Sequence, residues 1–141
     1  MTAALAMTGT HHVRLPVSDL EASRAFWQDV LGYEWDFDFP GEDGPAATAL
    51  RHPNGGPNLV LWLDPERARA SAGFTWFGIG LPSAAEVEEL RAQLDALSIP
   101  HGGIQGAFVD VKLPSVETPD GHLITFYVKP SPHSVAPAGK A

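Results

Sequence analysis

The sequence contains no cysteine, which excludes a disulfide framework and any cysteine–histidine catalytic pair. It also lacks an apolar run approaching the roughly 20 residues needed to span a bilayer. Residues Met1 to Thr10 have neither the basic start, the long apolar centre nor the processing site of a secretory leader, so the expected location is cytoplasmic and no membrane partner is expected. Basic residues are scarce: nine Lys and Arg face 17 Asp and Glu, for a net charge of -8. Nucleic-acid binding draws on clustered cations, so a polyanionic partner is not expected and a neutral or cationic small molecule is the easier ligand. No nucleophilic triad and no glycine-rich phosphate loop is present; Gly55-Gly56 falls in a turn without the strand and helix that such a loop requires.

What is present suits one globular domain. The 141 residues are 44% hydrophobic and 18% charged, enough to bury a core but too few for two ordinary domains. From His12 to Val17 the alternation predicts a strand, with Val13, Leu15 and Val17 on one face and His12, Arg14 and Pro16 on the other. Ser18-Asp19-Leu20-Glu21 forms a capping box, and the amphipathic stretch through Phe26, Trp27, Val30 and Leu31 ends at Gly32, predicting one helix. Tyr33 to Phe39, Ala46 to Arg51 and Leu59 to Leu63 follow as strands. In the first of these, Trp35, Phe37 and Phe39 alternate with Glu34, Asp36 and Asp38, which reads as a half-buried strand with a solvated acidic face, or as an acidic rim for a cation.

The same order restarts at Phe74. A strand is expected over Trp76 to Leu81, a second capping box at Ser83-Ala84-Ala85-Glu86, and a helix with Val87, Leu90, Leu94 and Leu97 buried, closed by Ile99-Pro100. Strands near Ile99 to Gly103, Ala107 to Leu113 and Leu123 to Val128 complete a second β-α-β-β-β run. Val13 pairs with Phe77, Phe26 with Leu90 and Val30 with Leu94 at one constant separation. One residue more then pairs Val60 with Thr125 and Trp62 with Tyr127, which identifies a duplication. The expected fold class is α+β, two βαβββ modules over residues 10–65 and 74–129 within one domain spanning 10–129, with flexible tails at 1–9 and 130–141.

The run His12-Val13-Arg14-Leu15-Pro16-Val17-Ser18-Asp19-Leu20-Glu21-Ala22-Ser23, with Phe26-Trp27 and Val30-Leu31-Gly32-Tyr33, resembles the opening of a vicinal oxygen chelate protein. Thr118-Pro119-Asp120-Gly121-His122-Leu123-Ile124 with Phe126-Tyr127 resembles the closing turn and strand of that family, which contains glyoxalases, bleomycin-resistance proteins and extradiol dioxygenases. The resemblance implies paired modules that curl into an open cup around a ligand cleft, and a homodimer. It further implies that metal-dependent members draw ligands from the first and last strand of each module. Here those positions are His12, Trp76, Val60 and Thr125. Only His12 is a competent donor, and one imidazole does not hold a divalent ion against water. No metal and no cofactor is therefore expected.

Strand alternation places Arg14, Val60, Trp62, Trp76, Gly78, Gly80, Leu123, Thr125 and Tyr127 on the face of His12. Of these, Trp62, Trp76 and Tyr127 are the expected aromatic wall, and His12, Arg14 and Thr125 its polar anchors, beside Val60. His52, His101 and His122 fall in predicted turns and are expected in solvent. Two functions fit this pattern. One is metal-independent capture of an aromatic or cationic compound such as an antibiotic, as bleomycin-resistance proteins do. The other is an enzyme of the same family, a cofactor-free isomerase or lyase using His12 as acid or base, or a metal-dependent glyoxalase or dioxygenase.

Overall fold

The computed structural model describes residues 4–106 and 111–128. Contacts divide the chain into two compact units, Met1–Pro65 and Glu66–Ala141, each with its own sheet and helix. In the first, β1 (Val13–Val17), β2 (Glu34–Gly41), β3 (Gly44–Arg51) and β4 (Leu59–Leu63) form a sheet in the order β1-β4-β3-β2. β1 runs parallel to β4, while β2–β3 and β3–β4 are antiparallel. A parallel neighbour needs a crossover, and it begins with α1 (Leu20–Ala25). Asp19 rather than Ser18 caps that helix, its carboxylate accepting the Ala22 N–H at 3.0 Å. After Ala25 the helix widens into a π-helical turn, Phe26–Val30, which buries Phe26 and Trp27 together. Gly32 follows at a φ of 77°, the left-handed residue that terminates helices.

The second unit repeats this plan. After a short α2 (Pro65–Ala70) come β5 (Thr75–Leu81), α3 (Ala84–Ala96), β6 (Gln105–Gly106), β7 (Val111–Glu117) and β8 (Leu123–Val128), in the sheet order β5-β8-β7-β6. The ladders reproduce the internal duplication residue by residue. Val13 pairs with Leu59 as Phe77 does with Ile124, Arg14 with Val60 as Gly78 does with Thr125, and Pro16 with Trp62 as Gly80 does with Tyr127. The α+β architecture of two βαβββ modules is thus the one the hydrophobic periods predict.

One sheet face in each unit carries the helix. Arg24 of α1 reaches Asp38 at 3.8 Å, and Asp38 pairs with Thr48; since cross-strand partners share a face, α1 covers the face of Thr48 and Leu50. Leu15, Val17, Leu59 and Leu61 are buried there with Trp27. In the second unit Val87, Leu90 and Leu94 of α3 are buried with Leu113, Ile124 and Phe126, which leaves Gly78, Thr125 and Tyr127 on the opposite face.

Several local expectations change. Residues 99–103 form no strand: Ser98 and Gly103 are left-handed at φ 58° and 80°, and the His101 Nδ1 accepts the Gly103 N–H at 3.0 Å, which folds the segment into turns. Of the strand expected over Ala107 to Leu113, residues 107–110 lie outside the described residues. β7 continues instead through Pro114 to Glu117, with its ladder broken between Leu113 and Val116 and Ser115 at a φ of 60°, an irregularity of the kind that tolerates proline in a strand. Leu97 is not buried: α3 ends one residue earlier and leaves it at the C-cap, 52% exposed. Ser83 caps α3, but its hydroxyl bonds directly to the Glu86 carboxylate rather than to a backbone N–H. The short α2, opening on Pro65, was not anticipated, although proline is a favoured first helical residue. The expected tails lie largely outside the described residues.

Candidate functional site

Three of the expected site residues meet on the helix-free face of the first sheet. Arg14 and Val60 are ladder partners, and Trp62 lies two residues beyond Val60 on the same face. The Arg14 guanidinium carbon sits 4.7 Å from the centre of the Trp62 ring, within cation–π range. Beneath them Ala47, Ala49 and Val60 form a buried apolar floor, against which Phe39 and Trp62 pack. Phe39 is a lining residue the alternation argument did not assign to this face; its ring lies 6.3 Å from Trp62 and 5.1 Å from Phe37.

The reason is a bulge. Trp35 pairs with Leu50 and Phe37 with Ala49, so Asp36 is the additional residue, and Trp35 and Phe37 point to opposite faces although they are two apart. Trp35 turns to the helix side, where its indole N–H donates to the Asp38 carboxylate at 2.9 Å. That hydrogen bond, with the Arg24 guanidinium, holds the Asp38 carboxyl below its ordinary range. Glu34 is in turn 3.6 Å from Arg51. Of the acidic residues expected along this strand, Asp38 faces away from Trp62 and Glu34 is paired with Arg51.

In the second unit Thr125 and Tyr127 share the helix-free face of β8 with Gly78 of β5. A β-carbon on Gly78 would lie 3.0 Å from the Tyr127 Cε1, so the glycine is what allows the tyrosine ring to lie against β5. This is the diagonal relation that Trp62 has to Arg14 in the first unit. Tyr127 therefore occupies the space over Gly78. Trp76 itself occupies a second bulge: Thr75 pairs with Leu123 and Phe77 with Ile124, leaving Trp76 without a ladder partner. Thr75, not Trp76, thus shares the face of Thr125. The Trp76 ring packs at 4.7 Å on His122 and at 5.1 Å on Phe74.

His12 precedes β1 and is exposed, with its Nδ1 2.9 Å from that of His11. The positions that the resemblance assigns to metal ligands do not suit a divalent cation. Val60 has no donor and lies in the apolar floor, Thr125 offers a neutral hydroxyl, and the Trp76 ring is engaged elsewhere. Among the described residues no group of three His, Cys, Asp or Glu side chains is placed to hold one.

The turn histidines are structural. His52 accepts the Asn54 N–H at Nδ1 and donates from Nε2 to the Leu31 carbonyl at 2.9 Å. His101 bonds Asp95 at 2.6 Å, the contact that most lowers the Asp95 pKa. His122 is buried, with Nε2 2.8 Å from the Ser71 hydroxyl. The Ser71 hydroxyl also lies 2.7 Å from the Arg67 carbonyl. This arrangement ties the α2 end to the β8 turn.

Residues 9–126 match the model of the Glyoxalase/Bleomycin resistance protein/Dioxygenase superfamily. A comparison with curated protein sequences gave no match. Among solved structures, lactoylglutathione lyase from Agrobacterium tumefaciens is 22% identical, with 86% of this chain and 94% of that one aligned at a TM-score of 0.69. TnmS3, an antibiotic binding protein from Streptomyces sp. CB03234, is 20% identical over 91% of this chain and 100% of that one, at 0.70. The fosfomycin resistance protein FosX from Listeria monocytogenes is 16% identical over 88% and 95%, at 0.69. No helix among the described residues is long and apolar enough to cross a membrane.

Proposed function

The chain belongs to the Glyoxalase/Bleomycin resistance protein/Dioxygenase superfamily, and on that basis we propose that it is a metal-independent, cytoplasmic binding protein that sequesters a small aromatic compound, such as an aromatic antibiotic. The observation that carries this reading is the pattern at the duplicated last strands. Where metal-dependent relatives place donors, this chain has Val60 and Thr125, and two residues on in each strand stands a partly exposed aromatic, Trp62 or Tyr127. An apolar floor beside aromatic rings and a few polar groups is the composition of small-molecule sites. On the first sheet Trp62 supplies a ring face and Arg14 the hydrogen bonds; the second sheet, taken by itself, repeats the pattern with Tyr127 and Thr125. His12 precedes the strand, and among the described residues its one hydrogen-bond partner is His11, which favours capture over turnover. Trp76 is left aside because its ring is engaged with Phe74 and His122. A fold shared with an antibiotic binding protein and a fosfomycin resistance protein supports the same reading.

A homodimer belongs to this proposal. The edge strand β2 carries Trp35 and Phe37 at 50% and 47% exposure, apolar surface that a second copy would cover; a monomeric mass at working concentration would count against it. The functional test is titration of a panel of aromatic antibiotics, followed by calorimetry and by mass analysis of the recovered compound. Stoichiometric binding, unchanged compound, and a loss of about 2 kcal/mol in Trp62→Ala are expected, as for a central aromatic anchor. Conversion of the compound, or unaltered affinity in that variant, would refute the reading.

A further inference from the structure

We infer that the compound held at this site carries an anionic group beside its aromatic ring, and that Arg14, stacked on Trp62, is the residue that selects it; this rests on the aromatic-binding reading above. Arginine on an indole face spends its π-surface and leaves its N–H edge available, five donors in a plane suited to a carboxylate, sulfonate or phenolate. In a chain with 17 acidic and nine basic residues, carboxylates are abundant enough that an arginine is readily neutralised. Arg24 meets Asp38, Arg51 meets Glu34, and Arg91 meets both Glu88 and Asp95. Arg14 meets Trp62 instead, and among the described residues no carboxylate lies within ion-pair distance of it.

The second unit carries a cation at a related place. Lys112 of β7 is the cross-strand partner of Tyr127 and shares its face. Both duplicated aromatics therefore have a basic side chain beside them, on sheet faces of an otherwise acidic chain. Glu117 shares the second face but pairs with Leu123 at the far end of the ladder from Lys112. Asp38 of the neighbouring strand β2 is turned away by the bulge and bound by Trp35 and Arg24 on the helix side. A cationic ligand would meet like charge at Arg14, whereas an anionic ring gains a charge-assisted hydrogen bond while stacking.

Three compounds of one shape separate the possibilities: 2-naphthoate, 2-naphthamide and 2-naphthamidine, which are anionic, neutral and cationic. Each is titrated into the full chain by calorimetry at low and high salt. The expected order is naphthoate about tenfold tighter than the amide, a difference of about 1.4 kcal/mol, with the amidine weakest and the spread narrowing as salt screens it. Arg14→Gln should bring naphthoate and amide to within about twofold of each other, and Arg14→Lys should keep part of the preference. A wild-type protein that prefers the amidine or makes no distinction overturns the inference, as does a preference that survives Arg14→Gln. If all three bind equally and Trp62→Ala weakens all, the aromatic site stands and only its charge selectivity falls. If none binds, both readings fall.

Discussion

The imidazole of His122 is buried in the second unit, against Trp76 at 4.7 Å and hydrogen-bonded to Ser71 at 2.8 Å. Burial lowers its pKa, and the nearby Asp120 charge only partly opposes this. The folded protein therefore holds the neutral ring, while the unfolded chain protonates near pH 6.5. Above that pH both states are neutral and the contribution is fully present. As pH falls below it, the unfolded state takes up a proton first, and stability declines until the folded pKa is reached. His122→Gln should flatten this dependence, seen as a smaller drop in urea midpoint between neutral and mildly acidic buffer. An undiminished drop in the variant would assign the effect to other groups. That His122 is buried was not legible in the turn Pro119-Asp120-Gly121. Its partner Ser71 is distant in sequence, and no local pattern reports a contact of that span.

Strands and helices were legible because their signals are periodic and local: alternation marked β1 and β5, and the capping boxes opening at Ser18 and Ser83 marked the starts of α1 and α3 to within a residue. The bulges at Asp36 and Trp76 were not. A bulge is a property of the ladder, one residue too many against a particular partner, and leaves the sequence of its own strand looking like ordinary alternation. It moved Trp35 to the helix face, brought Phe39 into the site and detached Trp76 from the face of Thr125. Face assignment in β4 and β8 held where the ladder is unbroken, from Val60 to Trp62 and from Thr125 to Tyr127. The close approach of Tyr127 to Gly78 gives this level its own test. Gly78→Ala would set a methyl 3.0 Å from the ring, so the tyrosine must swing away. A modest stability loss of about 1 kcal/mol is expected, with a shifted Tyr127 ring resonance. An unmoved resonance would show that the ring does not rest on this strand.

Across the whole molecule, duplication has kept the framework and changed what the framework presents. The four positions that the family resemblance assigns to metal ligands hold one imidazole, one valine, one tryptophan and one threonine, namely His12, Val60, Trp76 and Thr125. Imidazole, carboxylate and water are what Mn, Ni and Zn require in such sites, and Val60 instead belongs to an apolar floor with Ala47 and Ala49. Ligand linkage turns this into a measurement on the intact chain. A compound bound only by the folded state raises stability by about 2.7 kcal/mol at a hundredfold excess over its Kd, about 10 °C in melting midpoint for a chain of this size. An aromatic ligand at saturation should produce that rise, and chelator should leave it unchanged. Added Mn, Ni or Zn should leave the midpoint of the unliganded protein where it was. A metal-dependent rise that vanishes in His12→Ala would show that donors other than the inherited set complete a site around that histidine, and would move the protein to the catalytic side of its superfamily.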